Sequence, residues 1–331
     1  MLIIQLYSVI LNFYYDGKFR QQVMDKSEIK WILDAAEQGD IQAQCILGEH
    51  YYTGQGVEQS DKKAVEWFQK AAEQGYAQAQ YNLGFSYAWG KGVEQSYEKA
   101  AEWFRKAAEQ EHATAQFSLG YLYDSGQGVE QNNDKALEWY LKAAKQGEPR
   151  ALFNIGQFYY NGKGVEQSME KAAIWYQKAA ERGHVRAQFS LACCYEFGEG
   201  VEQNYEKAVT WYRKAAEQGH AQAQCNMGVC YYNGHGVEKS NDKAFEWYQK
   251  AAENGSVCAQ CNLGICYEHG QGVEQNYEKA VAWYRKAALQ GHAVAQYHLG
   301  HCYETGKGVK QNNDKASEWY HKAAAQGYSK S

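Results

Sequence analysis

Apolar and aromatic positions return along this chain with a fixed beat. Trp31, Trp67, Trp103, Trp139, Trp175, Trp211, Trp247, Trp283 and Trp319 are each separated by 36 residues, with no insertion between them. Within one period, for example Tyr76 to Glu111, apolar residues recur at helical spacing in two stretches. The pattern predicts a helix A over about Ala77–Trp89 and a helix B over about Tyr97–Gln110, joined by G-x-G-V-E-Q at Gly90–Gln95. A fixed period of this size is the signature of stacked units, each of which buries its apolar face only against its neighbours. Length alone would suggest two domains. The repeat overrides that and predicts one quasi-one-dimensional array.

Local signals agree with these boundaries. The residue after the loop is Ser60, Ser96, Asn132, Ser168, Asn204, Ser240, Asn276 or Asn312. Each is a good N-cap, because its side-chain oxygen can accept from an orphan N–H of the first turn. Glu58, Glu94 and Glu98 sit near that positive helix end, and Lys70, Lys106 and Lys142 near the negative one. Helix B is expected to stop at Gly75, Gly147, Gly183, Gly219, Gly255, Gly291 and Gly327. Glu111 occupies the same position without being glycine, which predicts local strain of about 1 kcal/mol. Pro149 falls in the first turn of a helix A, where its missing N–H matters little.

Helix A carries L-G-x-x-Y. Its leucine column runs Leu47, Leu83, Leu119, Ile155, Leu191, Met227, Leu263 and Leu299, followed by glycine everywhere except Ala192. A mid-helix glycine costs about 1 kcal/mol relative to alanine. Its repetition points to close approach of a bulky neighbour, for which the helix B tryptophan is the expected candidate. The tyrosines Tyr51 to Tyr303, the tryptophans and paired alanines such as Ala71 and Ala72 are expected to form a continuous core.

Composition narrows the function classes. The 331 residues are 45% hydrophobic, 22% charged and 15% aromatic, which is globular rather than disordered. A single proline fits a nearly all-helical chain. The net charge of −5 offers no basic domain for a nucleic acid. The longest apolar run, near Met1–Leu11, is far short of the ~20 residues of a transmembrane segment.

Read across eight units, the residues give A-x-x-x-L-G-x-x-Y-x-x-G-x-G-V-x-x-[SN]-x-x-K-A-x-x-W-[YF]-x-K-A-A-x-x-G. This closely resembles the Sel-1-like repeat family, over about residues 40–327. It is also similar to the tetratricopeptide repeat, whose period is 34, and the extra length is placed in the G-x-G loop. The resemblance implies an all-α fold, an α/α superhelical solenoid of eight 36-residue helix-turn-helix repeats, with helix A lining the concave side. It also implies a protein-interaction scaffold in signalling, host-interaction or quality-control complexes. Residues 1–39 read as a degenerate capping repeat: Leu11–Gly17 echoes the end of helix A, and Ser27–Gly39 echoes helix B. No Lys or Arg precedes Leu2–Leu11 and no A-x-A site follows, which argues against a secretory leader. Residues 328–331 are a tail, and Ser317 suits a last helix with a solvated outer face.

Reactive motifs have plainer readings. S-x-x-K, the nucleophile motif of penicillin-recognising enzymes, occurs at Ser27–Lys30, Ser60–Lys63, Ser96–Lys99, Ser168–Lys171 and Ser240–Lys243. Asparagine takes the serine's place in other units, and N-capping explains both. The alternative function, a β-lactam-recognising hydrolase like some cysteine-rich relatives of the family, rests on that motif alone. Those relatives pair a cysteine of helix A with one of helix B. Here all nine cysteines fall on helix A, so no such ladder is expected, and free thiols favour a reducing, cytoplasmic compartment, with a secreted or effector-like role as the other option. Cys258-x-x-Cys261 has metal-like spacing, and His298 with His301 shares a helix face, but neither has the companions a metal site needs. The sequon at Asn254 reads as turn chemistry. The G-x-G loops lack the P-loop lysine and put glutamate where phosphate would sit, so no cofactor, metal or catalytic residue is expected.

The variable positions carry the functional expectation. Four columns of helix A share a stripe at i, i+4, i+7 and i+11. Across the array the partner-binding candidates there are Asn82, Phe85, Trp89, Tyr121, Arg150, Asn154, Arg186, Phe197, Asn226 and Asn262. A ladder of asparagines can hold an extended peptide backbone, the aromatics can anchor side chains, and the arginines can meet carboxylates. The expected partner is a protein or peptide, not a nucleic acid. The sequence sets no oligomeric state.

Overall fold

The computed structural model describes residues 26–328, with side chains from Ile29 onward. The expected echo of helix A at Leu11–Gly17, the apolar stretch Leu2–Leu11 and the last three residues of the tail lie outside the described residues. Those described form seventeen helices and no strand. The chain divides into two compact units, residues 1–148 and 149–331.

In the first unit, Lys26–Glu37 precedes three pairs of helices A and B: Ile41–Thr53 with Asp61–Glu73, Ala77–Trp89 with Tyr97–Glu109, and Ala113–Ser125 with Asn133–Lys145. The second unit holds five pairs: Pro149–Asn161 with Met169–Glu181, Val185–Phe197 with Tyr205–Glu217, Ala221–Asn233 with Asn241–Glu253, Val257–His269 with Tyr277–Leu289, and Ala293–Thr305 with Asn313–Ala324. Within each unit a helix packs on the helices before and after it in sequence. The fold class is therefore the expected one, all-α and built of helical pairs. Pro149 opens its helix, as its sequence position predicts.

The expected caps form. Ser60, Ser96, Asn132, Ser168, Asn204, Ser240, Asn276 and Asn312 each accept the backbone N–H of the lysine three residues on. Glu111, with φ of 62°, is the one non-glycine with positive φ among the described residues. In the connecting loop, the second glycine makes a close approach. A Cβ on Gly92 would lie 2.2 Å from the carbonyl oxygen of Asp61, at the start of the preceding helix B. That close approach lets the loop of one repeat lie on helix B of the repeat before it.

The leucine column is fully buried: Leu47, Leu83 and Leu119 in the first unit, and Ile155, Leu191, Met227, Leu263 and Leu299 in the second. Each such side chain contributes about 1.5–3 kcal/mol of transfer free energy. The glycine beside it does accommodate a ring, but not the expected one. A Cβ on Gly84 would meet Phe104 at 2.7 Å, and one on Gly120 would meet Tyr140 at 2.8 Å. The ring in the notch belongs to the residue after the tryptophan. That Phe or Tyr is buried in most repeats, with Tyr140, Tyr212 and Tyr284 at 0% exposure. The tryptophans lie at the core's edge. They are half-buried at Trp67, Trp103, Trp139, Trp175, Trp211, Trp247, Trp283 and Trp319, and Trp31 is exposed. Each of those eight is covered by the ammonium of the lysine three residues on, 3.8–4.8 Å from the ring centroid. Part of their apolar surface is thus covered by a side chain that keeps its charge in water.

A buried amide ladder ties helix A to helix B. Gln80 is 5% exposed; its Nε2 donates to the Ala72 carbonyl at 3.1 Å, and its Oε1 accepts from Gln110 Nε2 at 2.7 Å. The same pair, 30 residues apart, recurs as Gln44 with Gln74, Gln116 with Gln146, Gln188 with Gln218, Gln224 with Asn254, Gln260 with Gln290, and Gln296 with Gln326. The repeat beginning at Pro149 departs at both ends together. It has Leu152 in place of the first glutamine and Arg182 in place of the second, and the arginine turns back to the Lys178 carbonyl.

Candidate functional site

The stripe of helix A splits into side chains turned toward the neighbouring helix A and side chains turned to water. In the first unit, Asn82 is half-buried. Its Nδ2 donates to Glu49 Oε1 at 3.1 Å and lies 3.8 Å from Cys45 Sγ, both on the preceding helix A. Its Oδ1 accepts from Gln78 Nε2 at 3.0 Å, and Gln78 Oε1 meets His112 Nε2 at 3.0 Å. Burial raises the Glu49 carboxyl above its ordinary range, opposed by the Asn82 and Cys45 hydrogen bonds. Phe85 is held between Tyr52 and Trp89, at 6.4 and 6.0 Å between centroids. Trp89 and Tyr121 are 66% and 48% exposed.

In the second unit, Asn154 and Asn226 are half-buried, and Asn226 accepts from Gln222 Nε2 at 3.0 Å. Asn262 Nδ2 lies 3.8 Å from Cys225 Sγ and 4.0 Å from Cys258 Sγ. Arg150 and Arg186 are exposed, and Phe197 is 66% exposed. The structure therefore separates the predicted residues by role. Asn82, Asn226 and Asn262 already spend amide groups on the array itself, whereas Trp89, Tyr121, Arg150, Arg186 and Phe197 present their side chains outward.

Several polar residues near the stripe carry no signal in a one-period reading. His112, His184, His220 and His292 cap helix A, each Nδ1 accepting a backbone N–H at 3.2 Å. The ring of His112 stacks on Tyr81 at 5.0 Å, and that of His184 on Phe153 at 4.7 Å. An acid near the end of helix A accepts the hydroxyl of the core tyrosine: Asp124 from Tyr140 at 3.2 Å, Glu268 from Tyr284 at 2.6 Å, Glu304 from Tyr320 at 2.8 Å, and Glu196 from Tyr212. Glu268 also faces His298 at 3.6 Å. That hydrogen bond, helped by Tyr284 against the cost of burial, holds its carboxyl down to about 2. Where the core ring is Phe68 or Phe104, the acid's position holds Tyr52 or Ala88. Beside the core tyrosines Tyr176 and Tyr248 the same position holds Tyr160 and Tyr232, so acid and core tyrosine change together only in part.

The S-x-x-K residues have structural tasks. The hydroxyls of Ser60, Ser96, Ser168 and Ser240 each accept a cap hydrogen bond, and the lysine ammonium lies over a tyrosine ring of helix A, as with Lys63 over Tyr51 at 5.2 Å and Lys99 over Tyr87 at 5.3 Å; the Ser27 side chain lies outside the described residues. Repeats with asparagine place the lysine identically, as with Lys135 over Tyr123 at 5.4 Å. The nine cysteines are free, seven of them buried. Among the described residues, no group of three His, Cys, Asp or Glu side chains is arranged to hold a metal ion, and no helix is long and apolar enough to cross a membrane.

The Sel1 repeat model matches eight consecutive segments: residues 41–76, 77–112, 113–148, 149–184, 185–220, 221–256, 259–292 and 293–328. The chain belongs to the Sel1 repeat family. Two solved structures are similar to this Sel1 repeat chain over most of its length. A protective antigen of uropathogenic Escherichia coli strains, displaying an SLR fold, is 38% identical with a TM-score of 0.85; the match covers 91% of this chain and 64% of the antigen's. This chain thus spans less than two thirds of that relative. A Sel1 repeat protein from Oxalobacter formigenes is 35% identical with a TM-score of 0.66, covering 91% of this chain and 87% of the other. The comparison with curated proteins returned no match. Sel1 repeats generally serve as protein-interaction scaffolds.

Proposed function

We propose that this Sel1 repeat chain is a non-catalytic adaptor. It holds a protein or peptide against the outward stripe of helix A, within signalling, host-interaction or quality-control complexes. The observation that carries this reading is the exposure of Trp89 and Tyr121 on that stripe in the first unit, and of Phe197 on the corresponding stripe of the second. Large aromatic faces left in water are poor for a lone chain and good anchors for a partner. Arg150 and Arg186 add donors for carboxylates on the bound segment. Asn154 remains a candidate contact, while Asn82, Asn226 and Asn262 shape the surface from beneath. Free thiols suit a reducing, cytoplasmic setting.

The test compares wild type with Trp89→Ala/Tyr121→Ala/Phe197→Ala as baits, each eluate quantified by mass spectrometry. Specific partners should fall at least about tenfold, since each lost anchor removes upwards of 1 kcal/mol. Equal recovery, with circular dichroism unchanged, would reject the stripe as the contact surface.

A further inference from the structure

The second unit contains two thiols that the adaptor reading does not use. Cys225 lies on helix A Ala221–Asn233 and Cys258 on the next helix A, Val257–His269. Their thiols are hydrogen-bonded to one another. The Asn262 amide reaches both sulfurs, at 3.8 and 4.0 Å. One amide reaching both sulfurs sets the two thiols side by side across neighbouring helices, the juxtaposition a disulfide requires.

The two thiols differ in access and in chemistry. Cys225 is 0% exposed, whereas Cys258 is half-buried. His292 completes the cluster. Its Nδ1 accepts the Ala295 N–H at 3.2 Å, which leaves the proton of the neutral ring on Nε2, and the ring hydrogen-bonds Cys258. A donor aimed at sulfur favours thiolate, the nucleophilic form. The Cys225 thiol and then His292 pull the Cys258 thiol down, while hydrogen bonding to Cys258 and burial push Cys225 up.

We propose that Cys258 is an oxidative modification site that attacks hydroperoxides, and that Cys225 resolves the product as a disulfide joining two consecutive helices A. The Cys258 thiolate attacks one peroxide oxygen, the O–O bond breaks, and the departing hydroxide takes up the thiol's proton as water. Cys258 is then a sulfenic acid. Cys225 sulfur attacks that sulfur, the S–O bond breaks, and hydroxide leaves with the Cys225 proton as a second water. Two thiols lose two electrons and one hydrogen peroxide gains them.

In wild-type protein, a brief iodoacetamide pulse near neutral pH should label Cys258 at least about tenfold faster than any other cysteine. A slight excess of hydrogen peroxide, then proteolysis without reductant, should yield a Cys225–Cys258 peptide pair. Cys225→Ser should accumulate a dimedone-trappable sulfenic acid at Cys258. His292→Asn keeps a capping oxygen and should slow Cys258 alkylation severalfold. Cys258→Gln installs the residue that Gln42, Gln78 and Gln222 supply at the same place in other repeats, so the fold should persist with the peroxide response gone. Uniformly slow alkylation of all nine thiols would overturn the assignment, as would oxidised wild type in which Cys225 is unlinked or joined to Cys261.

Discussion

Two residues set local costs that can be measured. Glu49 is partly buried beside Cys45 and Asn82, and burial raises its carboxyl above the ordinary range. A carboxyl raised in the folded state contributes stability that is full below its unfolded pKa and lost as pH rises through the folded one. Glu49→Gln keeps an acceptor for Asn82 and cannot ionise. Its stability should match wild type at acid pH, below the unfolded carboxyl's range, exceed it as pH rises through the folded carboxyl's raised range, and hold a constant advantage above that, read from denaturant midpoints. Glu111 sits at φ of 62° where the other repeats place glycine. Glu111→Gly should stabilise the protein by about 1 kcal/mol, seen as a higher unfolding midpoint; an unchanged or lower midpoint would show that the strain is absorbed elsewhere. Glu111 was legible in the sequence because a broken column is visible by inspection. The occupant of the glycine notch was not. Trp103 and Phe104 are adjacent in sequence and about 100° apart around the helix, so a pattern of aromatics does not say which of them enters.

At the level of the element, caps and loops were readable because each is a local bargain between a side chain and a nearby orphan backbone group. The glutamine ladder was not read, because a polar residue within an apolar stretch looks like a solvated position until its partner 30 residues away is known. The covariation of Leu152 with Arg182 was the available signal. Gln80→Leu should cost about 1–3 kcal/mol, since the Ala72 carbonyl and the Gln110 amide lose their partner. Adding Gln110→Arg, which copies the natural exception, should recover part of that loss. A double-mutant cycle in chemical denaturation measures the coupling, and strict additivity would show that the two amides act independently. The asparagine column of the stripe escaped for a related reason: helical spacing places it on one face, but that face is shared between water and the next helix A.

For the molecule as a whole, binding and stability should be separable. Trp89, Tyr121 and Phe197 are largely exposed, and surface truncations generally stay within about 0.5 kcal/mol each. The triple alanine variant should therefore unfold close to wild type while losing its partners; a large drop in the unfolding midpoint would mean that these rings serve the fold instead. The repeat period, the fold class and the family were all evident from sequence, because stacking imposes the same demands every 36 residues. Which stripe residues face outward depended on contacts between neighbouring repeats, which one period does not contain.

The ladder bonds between glutamines close inside a single 36-residue block, in which the inner glutamine accepts through Oε1, and its Nε2 needs only a main-chain carbonyl, which any block provides. Unequal crossing-over that duplicates or excises a whole block would therefore deliver to the new junction the same chemistry as the old one. Leu152 and Arg182, both inside residues 149–184, would be inherited together. A gene of this design can change the length of its product by whole blocks without leaving a buried amide stranded at the seam.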